Sequence, residues 1–389
     1  MTAATTATVA LARLVLTDFR GYARLDWHPR GRILCITGGN GAGKTNLLEA
    51  ISLLVPGRGL RGARLAEIAR RGGSGGFAAA GRFASPDGAF AVGTEAEAGA
   101  ARRRFQLDGA PPRSQAAIAE RLAAVWITPA MDSLFRDGAA ARRRFLDRLV
   151  FAFDPGHARE IGAYEAALAG RNRLLAAGDA DAAWLAALED AMARHGVAVA
   201  AARRALAIRL DAALAGGAVD PFPAARLSVQ CPTGALLDQG PALAAEATLG
   251  AQLARGRRAD AAHGTAGAGP HRADLVITHA GKAMPAALCS TGEQKALLVA
   301  IVLAHAGLIA EARGAAPLLL LDEPATHLDA AHRAALFEAL CALPAQSFLT
   351  GTDSALFQPL LGRAEFWHAG AGQLVPAPSF PAPDPGGLL

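Results

Sequence analysis

The chain has 389 residues, with 39 Lys and Arg against 34 Asp and Glu, a formal net charge of +5. That length holds one large domain or two medium ones, each with its own core, and the mild basic excess suits a polyanionic partner without identifying one. The four cysteines, Cys35, Cys231, Cys289 and Cys341, show no C-x-x-C spacing, which excludes a zinc ribbon or a redox dithiol and leaves four small apolar side chains in a reducing compartment.

The first ten residues are small and polar and are expected to lack structure. LARLVLTDF then reads as a strand, RGY as a turn, and RILCIT (32–37) as a short buried strand. A Gly-rich turn follows, then NLLEAISLL with helical spacing. From Phe77 to Leu107, short runs separated by SPDG and GA read as antiparallel strands and hairpins. VWITP is a further strand. From Gly138 to about Gly216 apolar residues recur at three- and four-residue steps, so this stretch is expected to be helical. Strand-like runs return at ARLSVQC and ADLVITHAG. The last part alternates helix and strand, the pattern of a parallel sheet covered by helices. The Pro-rich tail, 377–389, is expected to be disordered. No basic start leads into a long apolar run, and the longest apolar stretch, Ala296 to Ala310, is short for a bilayer and contains His305. The expectation is a soluble cytoplasmic protein with no membrane role.

Residues Gly38, Gly39, Asn40, Gly41, Ala42, Gly43, Lys44 and Thr45 spell GGNGAGKT, which fits G-x-x-x-x-G-K-[ST] between a strand and a helix. A triphosphate is cradled by backbone N–H groups only where the chain curls tightly, which the glycines permit. Lys44 supplies a positive charge to the outer phosphates, and Thr45 offers a hydroxyl to Mg2+. A second site follows in PLLLLDEPATHLD (317–329). Four leucines make a buried strand ending in Asp322, expected to hold Mg2+, and Glu323, expected to polarise an attacking water. The third element is STGEQ (290–294), a capping box with Ser290 at the N-cap and Glu293 three residues on, before a long apolar helix. Taken alone it caps a helix. Upstream of an acidic strand it has the ABC-signature arrangement.

Together these motifs resemble ABC-type ATPases, and further segments resemble the RecF family: TDFRGY (17–22), RRRFLDRLV (142–150), YEAALAGRNRLLA (164–176) and the GTAGAGPHRAD run within 258–275. The resemblance implies a mixed α/β fold, with an ABC-type head that includes an antiparallel β subdomain and an inserted, mainly helical lobe. It places the head at 1–124 and 262–376 and the lobe at 125–261. It implies ATP and Mg2+ as ligands and a homodimer that closes on ATP. Gly38 to Thr45 would bind ATP in cis, Ser290 and Gly292 would meet the γ-phosphate held by the other subunit, and Asp329 would lie in the D-loop. It further implies duplex or gapped DNA as partner, contacted mainly through phosphates, with RecR and RecO as associates, RecA loading as the outcome, and slow hydrolysis as the reset.

Some residues stay open. Thr350, Thr352 and Asp353 occupy the segment where ABC transporters carry a histidine, and Gln115 is a Q-loop candidate that also reads as a surface residue. His271 and Arg272 suit a structural hydrogen-bonding role as well as a ligand contact. The arginines at 102–104, 142–144, 255, 257 and 258 suit DNA phosphates or a solvated face. Competing readings are an ABC transporter subunit, a short SMC- or Rad50-like structural ATPase, and a P-loop nuclease. The long gap from P-loop to signature, the absence of extended heptads and the lack of an acidic metal cluster after Asp329 count against them in turn.

Overall fold

The computed structural model describes residues 7–178 and 181–377. These form two compact units, Met1–Pro129 with Ile309–Leu389, and Ala130–Leu308. Residues 1–6 and the proline-rich tail from 378 onward lie outside the described residues. The expectation of a structureless start fails from residue 7, where β1 (Ala7–Thr8) leads into β2 (Ala10–Phe19).

In the first unit, β2 is followed by β3 (Tyr22–Trp27), β4 (Ile33–Thr37), α1 (Lys44–Leu53), α2 (Leu65–Ile68), β5 (Phe77–Ala84), β6 (Phe90–Ala96), β7 (Arg104–Leu107), α3 (Gln115–Arg121) and β8 (Ala124–Ile127). β2 is apolar on one face, with Leu11, Leu14, Leu16 and Phe19 fully buried. That alternation suits a half-covered antiparallel sheet, and the order β3-β2-β5-β6-β7 provides it.

The second unit opens with α4 (Ala139–Phe153), α5 (His157–Ala177) and α6 (Ala182–Ala215), as the helical spacing requires. β9 (Ala225–Gln230), α7 (Pro232–Leu236), α8 (Ala242–His263), β10 (Asp274–His279) and β11 (Met284–Pro285) follow. The strands form an antiparallel sheet in the order β11-β10-β9. α9 (Thr291–Arg313) contains the division between the units. Its 23 residues match a membrane span in length and apolarity, although the purely apolar stretch, Ala296 to Ala310, is shorter. However, 78% of its apolar window is buried inside the protein, so it is a core helix.

The chain then adds β12 (Ala315–Ala316), β13 (Leu318–Leu321), α10 (Ala330–Ala342), β14 (Ser347–Gly351), β15 (Glu365–Gly370) and β16 (Gln373–Pro376) to the first unit. Its main sheet runs β16-β15-β4-β14-β13-β8, parallel except for the β15–β16 hairpin. β4 and β13 are apolar on both faces because both faces are covered, and all four leucines of β13 are buried. Each such leucine contributes about 1.5–3 kcal/mol by leaving water. Trp27 meets Phe348 and Trp367 edge-on at 5.9 and 5.7 Å, closing a seam between the two sheets of this unit.

The helical unit is held by polar groups as well as by its apolar core. Arg171 on α5 is fully buried. It donates to Glu189 on α6 at 2.9 Å, to Asp260 on α8 at 2.8 Å and to Leu253 O at 2.7 Å. Arg257 makes a second, forked pair with Glu189. Arg171→Met leaves the buried Asp260 without its cation and Glu189 with Arg257 alone, and we expect it to lower stability by about 3–5 kcal/mol. A urea titration followed by circular dichroism checks this; a midpoint equal to that of wild type would contradict it.

Candidate nucleotide site

The glycine loop gets its shape from close backbone approach. β4 ends at Thr37 and the chain leaves the sheet through Gly38, where φ is 148° and a Cβ would stand 2.4 Å from the carbonyl of Ala369 on β15. Gly41 and Gly43 hold φ of 79° and 99°, left-handed values that side chains disfavour. Gly39, Asn40 and Gly41 are exposed at the tip, and Ala42 N–H closes the turn on Gly39 O at 3.2 Å. α1 starts at Lys44 with no side-chain cap among the described residues, so its first N–H groups remain available to an anion.

Lys44 is buried and its Nζ donates to Gly38 O at 2.7 Å and Gly39 O at 3.0 Å. Burial lowers its pKa, while Glu323 and Asp322 nearby act to raise it. The cation is thus fixed by the loop it serves and faces the acidic end of β13.

One carboxylate oxygen collects the rest of the site. Thr45 donates to Asp322 Oδ1 at 3.0 Å and Thr350 donates to the same oxygen at 2.6 Å. The Glu323 N–H donates to Thr350 Oγ1 at 3.0 Å. Sheet order explains the convergence. β14 lies between β4 and β13, with Thr350 paired to Ile36 and Leu349 to Leu321. The three strands therefore end together, where open parallel sheets bind ligands. Glu323 has φ of 50°, a left-handed backbone that costs a non-glycine residue about 1–2 kcal/mol. Strain of this kind persists where surrounding bonds fix it, as the Thr350 bond does here.

Thr350 was one of three open residues in the sequence. It is fully buried against Asp322, whereas Thr352 is exposed and Asp353 caps a 3-10 turn by accepting from Ala355 N–H at 2.8 Å. Gln115 is exposed at the start of α3. The TDFRGY segment also has a physical account that its sequence did not reveal. Asp18 pairs with Arg70 at 2.7 Å, Arg20 forks onto the buried Glu49 of α1 at 2.8 Å, and Tyr22 donates to Gly43 O at 3.1 Å. The segment therefore braces both the glycine loop and the helix behind it.

Asp329 caps α10, accepting from His332 N–H at 2.8 Å and lying 2.9 Å from the His332 ring nitrogen Nδ1. In the second unit Ser290 and Gly292 start α9, and the Ser290–Glu293 capping box is formed. His271 sits between Tyr164 Oη at 2.6 Å and Ala266 O at 2.9 Å. Both of its ring nitrogens therefore have partners, and burial lowers its pKa. Arg272 beside it is exposed.

Several of the flagged arginines are spent inside the fold. Arg103 donates to the carbonyls of Leu53, Val55 and Gly57, Arg142 forks onto Asp274 at 2.7 Å, and Arg143 donates to Ala273 O at 2.7 Å. Arg104 is exposed but pairs with Glu95 and Glu97. Arg102, Arg144, Arg255 and Arg258 are exposed.

A family model described as the RecF/RecN/SMC N terminal domain matches residues 10–360. A DNA replication and repair protein RecF of Mesorhizobium japonicum is 51% identical over 94% of this chain and 97% of its own. Among solved structures, the recombination mediator protein RecF-ATP in the RecFOR pathway superposes with a TM-score of 0.82 at 21% identity, covering 95% of this chain and all of the other. An Smc head domain from Pyrococcus furiosus gives 0.53 at 15% identity over 95% of this chain and 96% of its own.

Thr350→Val keeps the shape but removes the hydroxyl that joins Asp322 to Glu323. We expect it to cost about 1–3 kcal/mol by stranding buried polar groups. Thermal melts of the two proteins check this, and coincident curves would contradict it.

Proposed function

The chain belongs to the RecF family of ABC-type, SMC-like ATPases, and from that premise we propose that it is an ATP-gated DNA clamp of recombinational repair and replication-fork maintenance. The observation that carries the reading is the convergence of Thr45 and Thr350 on Asp322, with the Glu323 backbone bound to Thr350, beside a lysine held by the glycine loop. A site so built binds a nucleoside triphosphate by its phosphates and stations a carboxylate where water attacks. The solved relative described as RecF-ATP supports ATP as that nucleotide.

The residues also suit magnesium. Thr45 Oγ1 and Asp322 Oδ1 are two hard oxygen donors 3.0 Å apart, and the described residues contain no cluster of three or more metal-binding side chains. Magnesium binds through few protein groups and completes its shell with phosphate and water. When bound it would neutralise charge between the outer phosphates. Lys44 holds the phosphates, Thr350 fixes Asp322, and Glu323 orients and polarises the attacking water.

In this reading the chain dimerises on ATP. Ser290 and Gly292 of one subunit, at the start of α9, meet the γ-phosphate held by residues 38–45 of the other, and Asp329 lies at the same junction. ATP binds the closed dimer better than two monomers and so shifts association by mass action. DNA, duplex or gapped, is held through its phosphates by exposed arginines such as Arg102, Arg144, Arg255, Arg258 and Arg272. Hydrolysis is slow and resets the clamp in the cytoplasm. RecR and RecO act with it and RecA loading is the outcome, a reading supported by the RecFOR pathway in the name of the solved relative.

Three substitutions test this account. Lys44→Met should abolish tight ATP binding, because it removes ground-state charge. Glu323→Gln should keep binding but slow hydrolysis, because it acts on the water; hydrolysis at the wild-type rate would refute its role. Ser290→Arg should block ATP-dependent dimerisation in sedimentation, while wild type moves from monomer to dimer when ATP and magnesium are added. A wild-type dimer fraction that ignores ATP would sink the shared site.

A further inference from the structure

The helix that begins at the signature starts beside a carboxylate of its own. Ser290 Oγ and Ser290 N–H both donate to Glu293 Oε2 at 2.9 Å, and Glu293 N–H approaches Ser290 Oγ at 3.4 Å. The bonds stabilise the helix start, but they also keep a negative charge within hydrogen-bond reach of the hydroxyl proposed to meet a γ-phosphate. That carboxylate is ionised throughout the neutral range, its pKa held down to about 2 by Lys282 and then by Ser290. Left alone, it would repel the incoming phosphate at a few ångströms.

The fold brings a cation to it. β10 and β11 pair as an antiparallel hairpin, with Thr278 opposite Pro285 and His279 opposite Met284. Residues 280–283 connect them through a 3-10 turn, Ala280–Lys282. The turn is pinned by Ala280 N–H to Ala224 O at 2.9 Å and Ala283 N–H to Ala280 O at 3.3 Å. Ala283 takes φ of 49°, a left-handed conformation that a residue with a Cβ adopts at some cost. The result sets Lys282 Nζ against Glu293 Oε1, while Oε2 stays with Ser290. The lysine side chain is 50% exposed, and an exposed ion pair adds little to stability. The pair therefore calls for an explanation other than holding the fold.

We propose that Lys282 is a positioning residue of the shared nucleotide site: it neutralises Glu293, so that the α9 start stays attractive to the partner-held γ-phosphate. This rests on the shared-site reading above. Each closed dimer contains two such junctions, so a loss of about threefold per site becomes about tenfold in the association constant.

The experiment is sedimentation velocity with ATP and magnesium over a range of chain concentrations, with thermal melts to confirm folding. Lys282→Ala should dimerise about tenfold more weakly than wild type, and Lys282→Arg should stay within about twofold. Lys282→Ala combined with Glu293→Gln should recover most of the loss, because the charge that needed neutralising is gone. A structural role alone would not produce that rescue. If Lys282→Ala melts early, Lys282→Gln serves in its place with the same expectations. Unchanged dimerisation of Lys282→Ala, or a double variant as weak as the single one, would overturn the proposal while leaving the shared site standing. A wild type that does not associate on ATP would overturn both.

Discussion

Asp322 Oδ1 receives hydroxyl protons from Thr45 and from Thr350, and the site depends on this one oxygen. Through Thr350 it also fixes the Glu323 backbone. The participants come from the first helix, the acidic strand and the strand between them, and they meet because β4, β14 and β13 are neighbours in register. A parallel sheet that orders its strands this way brings a glycine loop and a pair of acids to one edge although most of the chain separates them. The remaining features of the first unit serve that edge. The leucines of β13 bury it, Gly38 lets β15 approach, and Arg20 and Tyr22 brace the loop and α1 from the other side.

Charge is used sparingly in this chain. In the sequence the arginines at 102–104, 142–144, 255, 257 and 258 suit either DNA phosphates or a solvated face. The fold turns some of them inward, with Arg257 on Glu189, Arg142 forked onto Asp274 and Arg103 on three backbone carbonyls, and it likewise pairs Arg171 with Glu189 and Arg203 with Asp147. Such pairs fix how helices meet more than they add stability, since desolvation offsets much of their attraction. Of the arginines in those runs, Arg102, Arg144, Arg255 and Arg258 remain exposed without forming a continuous stretch of sequence.

The phosphate loop, the acidic strand and the capping box were legible in sequence because each needs particular residue types at fixed spacing. The buried strands were legible because full burial demands unbroken apolar runs. Thr350 was not distinguished from its neighbours, because a strand-end threonine has no signature; its role comes from β14 lying between two strands distant in sequence. α8 was not read, because ALAAEATLGAQLARGRRADAAH is dominated by alanine and arginine and has weak apolar periodicity. His271 was left between two roles, since its partners Tyr164 and Ala266 are fixed by the tertiary fold.

In the proposed mechanism catalysis needs two chains, one supplying the loop and acids and the other the start of α9. It makes hydrolysis a property of the dimer rather than of the chain. The most direct test is the rate of ATP hydrolysis per chain, with DNA and saturating ATP and magnesium, as the protein is diluted from micromolar to nanomolar. With a shared site the rate per chain should fall on dilution as dimers dissociate and level off at high concentration. A rate per chain that stays constant across the range in which sedimentation finds the protein passing from dimer to monomer would contradict it.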